Sequence, residues 1–288
     1  MRLPKVMIAC DLSETDKLLF EYLQCLSQKV GIGEVQLVHV IKNPLGFHDL
    51  LPADYEQKVA AYLGERFQQI VGKGVPYRVI ITEGSPVHEI VELANTSDIS
   101  LVIVGDKMNR KGVVAHKIAR RVQTSAVFVP DVKCPVNRIL LPVDMSPYSQ
   151  DTVRWGLSFA REWNAEVIFL HVYSLPPILA STLALQLNLD EATLRETTRE
   201  RAETLFKERI EPLLADSAVT YSLELIYDEG RNISEVIAAY ANQQAIDLTI
   251  VGAHGEGPVS AALFGSVPEG LIKESMQMPL WIYRKSSS

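Results

Sequence analysis

The sequence predicts an α/β protein of two doubly wound domains, each a five-stranded parallel sheet with helices on both faces. Three observations carry this expectation. The same order of matched segments runs twice along the 288 residues. Within each copy, β-branched apolar runs of strand length alternate with longer stretches of helical period, the pattern of βαβ units whose sheet is buried on both faces. Between the copies, Pro130 and Pro135 bracket a stretch suited to an extended connector and not to a helix or central strand.

The repeat is read strand by strand. Residues 5–12 (Lys-Val-Met-Ile-Ala-Cys-Asp-Leu) match residues 138–145 (Arg-Ile-Leu-Leu-Pro-Val-Asp-Met), each an apolar run closing on an aspartate, Asp11 or Asp144. Residues 34–40 parallel 166–172, both ending His-Val, and residues 81–90 parallel 227–236, both carrying Glu-Gly. Residues 98–105 parallel 247–252, both ending Val-Gly, and residues 126–129 parallel 279–282. Five matches in one order make two copies of one domain, which we bound at residues 1–133 and 134–288.

The helices follow from spacing. Leu19, Leu23 and Leu26 in the first copy, and Val153, Leu157 and Ala160 in the second, recur at helical period after the first strand. Val59, Leu63, Phe67 and Ile70 precede the third strand of the first copy, as Leu194, Phe206, Ile210 and Leu213 do in the second. A short helix then carries Ile90, Leu93 and Ala94, or Val236, Ile237 and Tyr240, and a last one carries Leu271 and Ile272. Right-handed crossovers close such units into a doubly wound sheet.

Composition removes several classes of function. Hydrophobic content of 47% with 22% charged residues is that of an ordinary folded protein. No apolar run approaches the ~18 residues that span a bilayer, and an acidic residue at position 11 comes too early for a signal peptide, so we expect a cytoplasmic protein with no membrane partner. The net charge of −7 argues against nucleic acid, which needs a basic surface to displace counterions. The copies have diverged in charge: residues 1–134 sum to +1 and residues 135–288 to −8. Three cysteines, Cys10, Cys25 and Cys134, without CxxC spacing predict neither a disulfide framework nor a zinc ribbon and suit a reducing compartment.

Ligands of doubly wound sheets lie beyond the carboxyl ends of the strands, at the switch point. There the second copy reads Gly252-Ala-His254-Gly255, then nine residues, then Gly265-Ser266-Val267, leading into a helix. Glycines let backbone approach an anion and adopt positive φ, while N–H groups at a helix start and the Ser266 hydroxyl can donate to phosphate.

This Gly-x2-Gly-x9-Gly-Ser spacing resembles the nucleotide loop of the universal stress protein family, specifically its ATP-binding branch. Residues 139–146, residues 169–172, Glu229-Gly230 and residues 279–283 carry the same resemblance, and both copies resemble family domains over nearly their whole length. The resemblance implies a tandem member with strand order 3-2-1-4-5 in each domain and a nucleotide between the first and fourth strands. It implies that Val143 and Asp144 line the adenosine end and that Val172 meets adenine through its backbone. Gly252, Gly255, Gly265, Ser266 and Val267 would hold ribose and phosphates, with Mg²⁺ accompanying ATP. Met145 stands where the family often has glycine. The family often pairs its last strands across an interface, which implies pairing of the two copies with each other as a built-in dimer, or a homodimer.

The first copy departs from the pattern. Gly105 and Gly112 are separated by six residues, where Gly252 and Gly265 are separated by twelve, and Val113 replaces the serine, so we expect no ATP there. Lys107, Arg110 and Lys111 attract an anion or are merely solvated.

Each candidate residue has a plainer role beside the sharper one. Asp144 orients ribose or a metal-bound water, or caps the turn before Ser146. His254 contacts phosphate or occupies the turn. His39 and His171, repeated in both copies, read as structural, and Cys10 reads as a buried apolar-like side chain. The Leu-rich residues 175–189 form a lid, a partner surface or a packed helix.

No P-loop, dinucleotide fingerprint, nucleophile elbow or His-Glu-x-x-His pair occurs. Residues 144–149 lack the glycines of an ATP-pyrophosphatase loop. The sequence therefore points to a nucleotide-binding protein with, at most, weak ATP hydrolysis. A nucleotide-free scaffold and a slow ATPase stand as alternatives.

Overall fold

The computed structural model describes residues 1–42, 51–105, 113–175, 190–215, 217–254 and 264–285. They form two compact units, Met1–Val136 with Ser275–Ser288, and Asn137–Glu274. Each is an alternation of strands and helices around a mostly parallel sheet.

In the first unit β1 (Arg2–Cys10), α1 (Glu14–Ser27), β2 (Gly31–Ile41), α2 (Tyr55–Val71), β3 (Tyr77–Glu83), α3 (Pro86–Thr96), β4 (Leu101–Gly105), α4 (Val113–Arg121) and β5 (Ser125–Val129) follow in order. The sheet runs β3-β2-β1-β4-β5 with every one of these pairs parallel, as implied by the resemblance. Val6, Met7 and Ile8 on β1, and Leu101, Val102 and Ile103 on β4, are fully buried in succession because helices cover both faces. Burying each such side chain is worth roughly 1.5–3 kcal/mol, which is why alternation disappears from these strands. The helix α1 starts where Ser13 Oγ accepts the N–H of Thr15 at 3.2 Å. It then lays Leu19, Phe20, Leu23 and Leu26 into the core.

The second unit comprises β6 (Arg138–Pro142), α5 (Ser149–Trp163), β7 (Glu166–Tyr173), α6 (Glu191–Arg209), β8 (Tyr221–Tyr227), α7 (Ile233–Gln243), β9 (Leu248–Gly252) and α8 (Ser266–Lys273). Its sheet runs β8-β7-β6-β9, again with parallel pairs. The last strand, β10 (Leu280–Tyr283), is grouped with the first unit, where it pairs antiparallel with β5: Leu280 faces Phe128, Trp281 faces Val127 and Ile282 faces Ala126. The apolar edge of β5 is thereby covered. Among the described residues no helix is long and apolar enough to cross a membrane.

One expectation fails. Cys25 on α1 and Cys134 in the connector form a disulfide, with Cα atoms 6.1 Å apart, and only Cys10 remains a free, buried thiol. The two cysteines lie 109 residues apart, so no local spacing announces the pair; only the fold brings the connector beside α1.

Candidate functional site

The first strand of each copy ends in the same local geometry. Asp144 Oδ1 accepts the N–H of Ser146 at 3.0 Å, as Asp11 Oδ1 accepts that of Ser13 at 3.1 Å. Between them, Met145 and Leu12 hold φ of 58° and 60° in the left-handed region, where glycine is at ease. This turn carries the chain from the sheet into α5 or α1. The turn-capping role foreseen for Asp144 is thus realised, and the residue also faces the cavity described next.

Val143, Asp144, Val172, Gly252, His254, Gly265, Ser266 and Val267 line one cavity of about 310 Å³ in the second unit. They come from the ends of β6, β7 and β9 and from the start of α8, so the cavity sits beyond the carboxyl ends of neighbouring parallel strands. Gly255, the remaining expected residue, lies outside the described residues, as do Lys107, Arg110, Lys111, Gly112 and the stretch from residue 176 to 189. Val172 is buried, His254 is half-buried and Ser266 is exposed at the first position of α8.

One part of the expectation for the loop glycines, positive φ, does not hold at the two that are described. Neither Gly252 nor Gly265 has a positive φ; among the described glycines that conformation occurs at Gly72, Gly84 and Gly230. Gly252 is needed for space: a Cβ there would meet Thr152 Oγ1 at 2.8 Å and the carbonyl oxygen of His254 at 3.1 Å. At Gly265 a Cβ would come within 3.3 Å of Pro268 Cδ, a tight contact with a ring edge. Gly265 caps α8 with φ of −67°, and its N–H donates to the carbonyl of Ala253 at 2.9 Å, holding the helix start against the end of β9.

Other lining residues escaped the sequence reading. Ile233 and Ile237, one helical turn apart on α7, line the cavity together with Leu170 and Val172 and add to its apolar surface. Their helical spacing was visible, but the same spacing equally describes a core helix. His171 also lines the cavity, and its Nδ1 lies 2.8 Å from the carbonyl oxygen of Val143. His39 repeats this contact with Cys10 at 3.1 Å, which fits the structural role expected of both. Arg209, the last residue of α6, donates from Nη1 to the carbonyl of Met145 at 2.8 Å and fastens the Asp144 turn from outside.

The described lining contains one carboxylate, Asp144, and no lysine or arginine. The peptide N–H groups at the start of α8, where Ser266 and Val267 line the cavity, have no intrahelical acceptor and carry the positive end of the helix dipole.

The first copy fills the corresponding place with its own side chains. Asp16 is buried at 1% exposure, and its carboxylate accepts the N–H groups of Asp11 at 3.0 Å and Leu12 at 2.9 Å. Thr15 packs its methyl over Gly105 so closely that a Cβ on the glycine would lie 2.2 Å from it. In the second copy the residue five beyond the strand-end aspartate is Ser149, which lines the cavity and donates to the carbonyl of Ser146 at 2.8 Å.

A model of the Universal stress protein family matches residues 3–130 and again residues 135–284. Among curated proteins, two universal stress proteins of Methanocaldococcus jannaschii are similar: one is 24% identical over 148 residues, covering 51% of this chain and 82% of its own length. The other is 27% identical over 159 residues, covering 52% of this chain and 96% of its own length. Among solved structures, a universal stress protein from Archaeoglobus fulgidus aligns over 98% of this chain and 96% of its own, with a TM-score of 0.67 and 19% identity, a likeness of fold.

Proposed function

The chain belongs to the universal stress protein family as a tandem member, and from that premise we propose that its second copy binds an adenine nucleotide, ATP in the first place, while the first copy takes none. The observation that carries this reading is convergence. Eight residues named from four separate sequence segments meet around one cavity of about 310 Å³ at the switch point. Such a volume lies at the lower end of small-molecule sites, and an open mouth lets phosphates extend into water.

The chemistry of the walls assigns the parts of the ligand. The apolar side made by Leu170, Val172, Ile233 and Ile237 suits a base, with the backbone of Val172 reading its edge. Asp144 is placed for ribose hydroxyls or, in their stead, for a metal-bound water. Gly265, Ser266 and Val267 at the start of α8 suit phosphate, because unpaired peptide N–H groups and the helix dipole favour an anion. Mg²⁺ fits this donor set: one carboxylate, Asp144, is what the ion takes from a protein when phosphate and water supply its other ligands, and it would neutralise phosphate charge where no described lining residue is cationic. The reading is one of binding. The titratable side chains of the described lining are Asp144, His171 and His254, and Asp144 Oδ1 is already engaged by Ser146 and His171 Nδ1 by the Val143 carbonyl.

In the first copy, Asp16 and Thr15 occupy the turn and the β4 end, and a carboxylate stationed there repels phosphate. A net charge of −7 supports a protein that works without nucleic acid. Because β10 already covers β5, the family's edge pairing is met within one chain, and no homodimer through β5 is needed.

Denaturing extraction of the purified protein, followed by chromatography of released nucleotide, tests the reading in wild type and in Gly265→Ala/Ser266→Ala. The variant should retain the wild-type circular dichroism, since the added methyl meets Pro268 Cδ at 3.3 Å and the Ala253 carbonyl oxygen at 3.4 Å, contacts that a shift of a few tenths of an ångström relieves. About one ATP per chain, lost in the variant, is expected for a single helix-start phosphate site. No nucleotide in either, with no thermal shift at millimolar ATP, sinks the proposal; two per chain overturn its claim about the first copy.

A further inference from the structure

The Cys25–Cys134 disulfide is asymmetric in its surroundings. Cys25 sits on the core side of α1 at 3% exposure, whereas Cys134 is exposed. The bond fastens the stretch from Pro130 to Cys134, which forms neither helix nor strand and in which Val132 N–H turns back on Asp131 Oδ1 of its own segment at 2.8 Å. Past the disulfide the chain is held again, by the side chain of Val136 at 2% exposure and by Asn137, whose N–H donates to Asp247 Oδ2 at 2.8 Å.

We propose that the Cys25–Cys134 bond is a thiol-exchangeable clamp that holds the connector, residues 130–134, against α1 when oxidised and releases it when reduced. The exposure of residue Cys134, against the burial of Cys25, sets the course of exchange. The thiolate of a low-molecular-weight thiol attacks Cys134 Sγ, the protein S–S bond breaks, and the electron pair leaves on Cys25 Sγ, which takes up a proton. A second thiolate then attacks the reagent's sulfur in the mixed disulfide, and Cys134 leaves as thiolate. Two reagent thiols become one reagent disulfide while the protein disulfide becomes two thiols, and the oxidised reagent drives the same steps in reverse. Attack from the Cys25 side is shut off by the core. Cys10 takes no part, since it is buried and burial pushes its thiol well above the ordinary value. The clamp is independent of any nucleotide site.

The test equilibrates the native protein in dithiothreitol of graded ratio to its oxidised form, then quenches with acid, alkylates under denaturing conditions and maps tryptic peptides. Oxidising mixtures should yield peptide 18–29 linked to peptide 134–138, and reducing mixtures the two alkylated separately, reversibly. A parallel sample alkylated while native must leave Cys10 unmodified, which shows that the fold persists throughout. Limited trypsin then reads the release: cleavage after Lys133 should be at least about fivefold faster in the reduced protein, because a local opening no longer has to break the tether. Cys134→Ser, a change at an exposed position, should be cleaved at the fast rate in both mixtures. Failure of the linked peptide to form at any ratio overturns the proposal. So does a bond that native-state thiol cannot open, and so does an equal cleavage rate in the two redox forms.

Discussion

The carboxylate of Asp16 accepts the backbone N–H of Leu12 at 2.9 Å, inside the first copy's counterpart of the cavity-forming turn. It also accepts the N–H of Asp11, so two donors of the strand-end turn are satisfied by a side chain of the following helix. The second copy has Ser149 at this position, and its hydroxyl bonds to Ser146 and leaves a cavity wall. One substitution of residue type thus separates a turn closed on its own carboxylate from a turn that borders open space.

Asp16 makes stability depend on pH. Burial drives its carboxyl from 3.8 up to about 6; the N–H bonds from Asp11 and Leu12 and the charge of Arg66 pull the other way, while the Asp11 charge adds to the rise. Between these values the folded protein keeps a proton that the unfolded chain has released, so this contribution to stability falls as pH rises from about 4 to about 6 and is level above. Urea unfolding at pH 4.5 and pH 7 should show that the stability wild type gives up between the two pH values is reduced in Asp16→Asn, which has no carboxyl there to titrate. An unchanged difference between the two pH values in the variant would refute the assignment.

The paired left-handed residues respond oppositely to glycine. Leu12, at φ of 60° and only half-buried, pays roughly 1–2 kcal/mol of backbone strain, more than the extra entropy of glycine. Leu12→Gly should therefore stabilise the protein by up to about 1 kcal/mol. Met145 has the same φ, but its side chain is 1% exposed. Emptying that site costs about 2–5 kcal/mol and outweighs the relief, so Met145→Gly should destabilise. Chemical denaturation of the two variants decides both signs.

Arg209 couples the back of the second unit to the proposed ligand turn through its bond to the Met145 carbonyl. Removing a charged donor from a carbonyl costs about 1–3 kcal/mol. Arg209→Ala should lower the unfolding midpoint and weaken ATP binding severalfold in calorimetry, whereas Arg209→Lys should recover part of both. Undiminished affinity in the alanine variant would show that the Asp144 turn holds its shape unaided.

The duplicated order of apolar runs made both sheets legible from sequence, because fully buried parallel strands must be apolar throughout and Val6–Ile8 or Leu101–Ile103 have no other reading. The residues around the cavity were legible where glycine, serine and aspartate stand at strand ends. Ile233 and Ile237 were not, since an apolar pair on α7 looks the same whether it faces a cavity or a core. Nor was the role of Asp16: a helix-start aspartate is ordinary, and only packing reveals that it is buried on two backbone donors. Cys25 and Cys134 illustrate the same limit, for a contact across 109 residues leaves no trace in local pattern.

The two copies also expose a polar residue where the fold has no need of one. Gln36 on β2 is 0% exposed, and neither its side-chain nitrogen nor its oxygen finds a hydrogen-bond partner among the described residues. Three residues before His171, the aligned run of the second copy (Glu166-Val167-Ile168) places Ile168 where Glu34-Val35-Gln36 places the glutamine, and Ile168 is buried at 1% exposure without polar atoms to satisfy. A buried amide without partners costs roughly 1–3 kcal/mol, and isoleucine adds favourable burial on a strand already lined with valine and leucine. Gln36→Ile should raise stability by about 1–2 kcal/mol, read as a higher urea midpoint at unchanged slope. A lower midpoint would mean that the amide is held by a bridging water, in which case Gln36→Leu would lose stability as well.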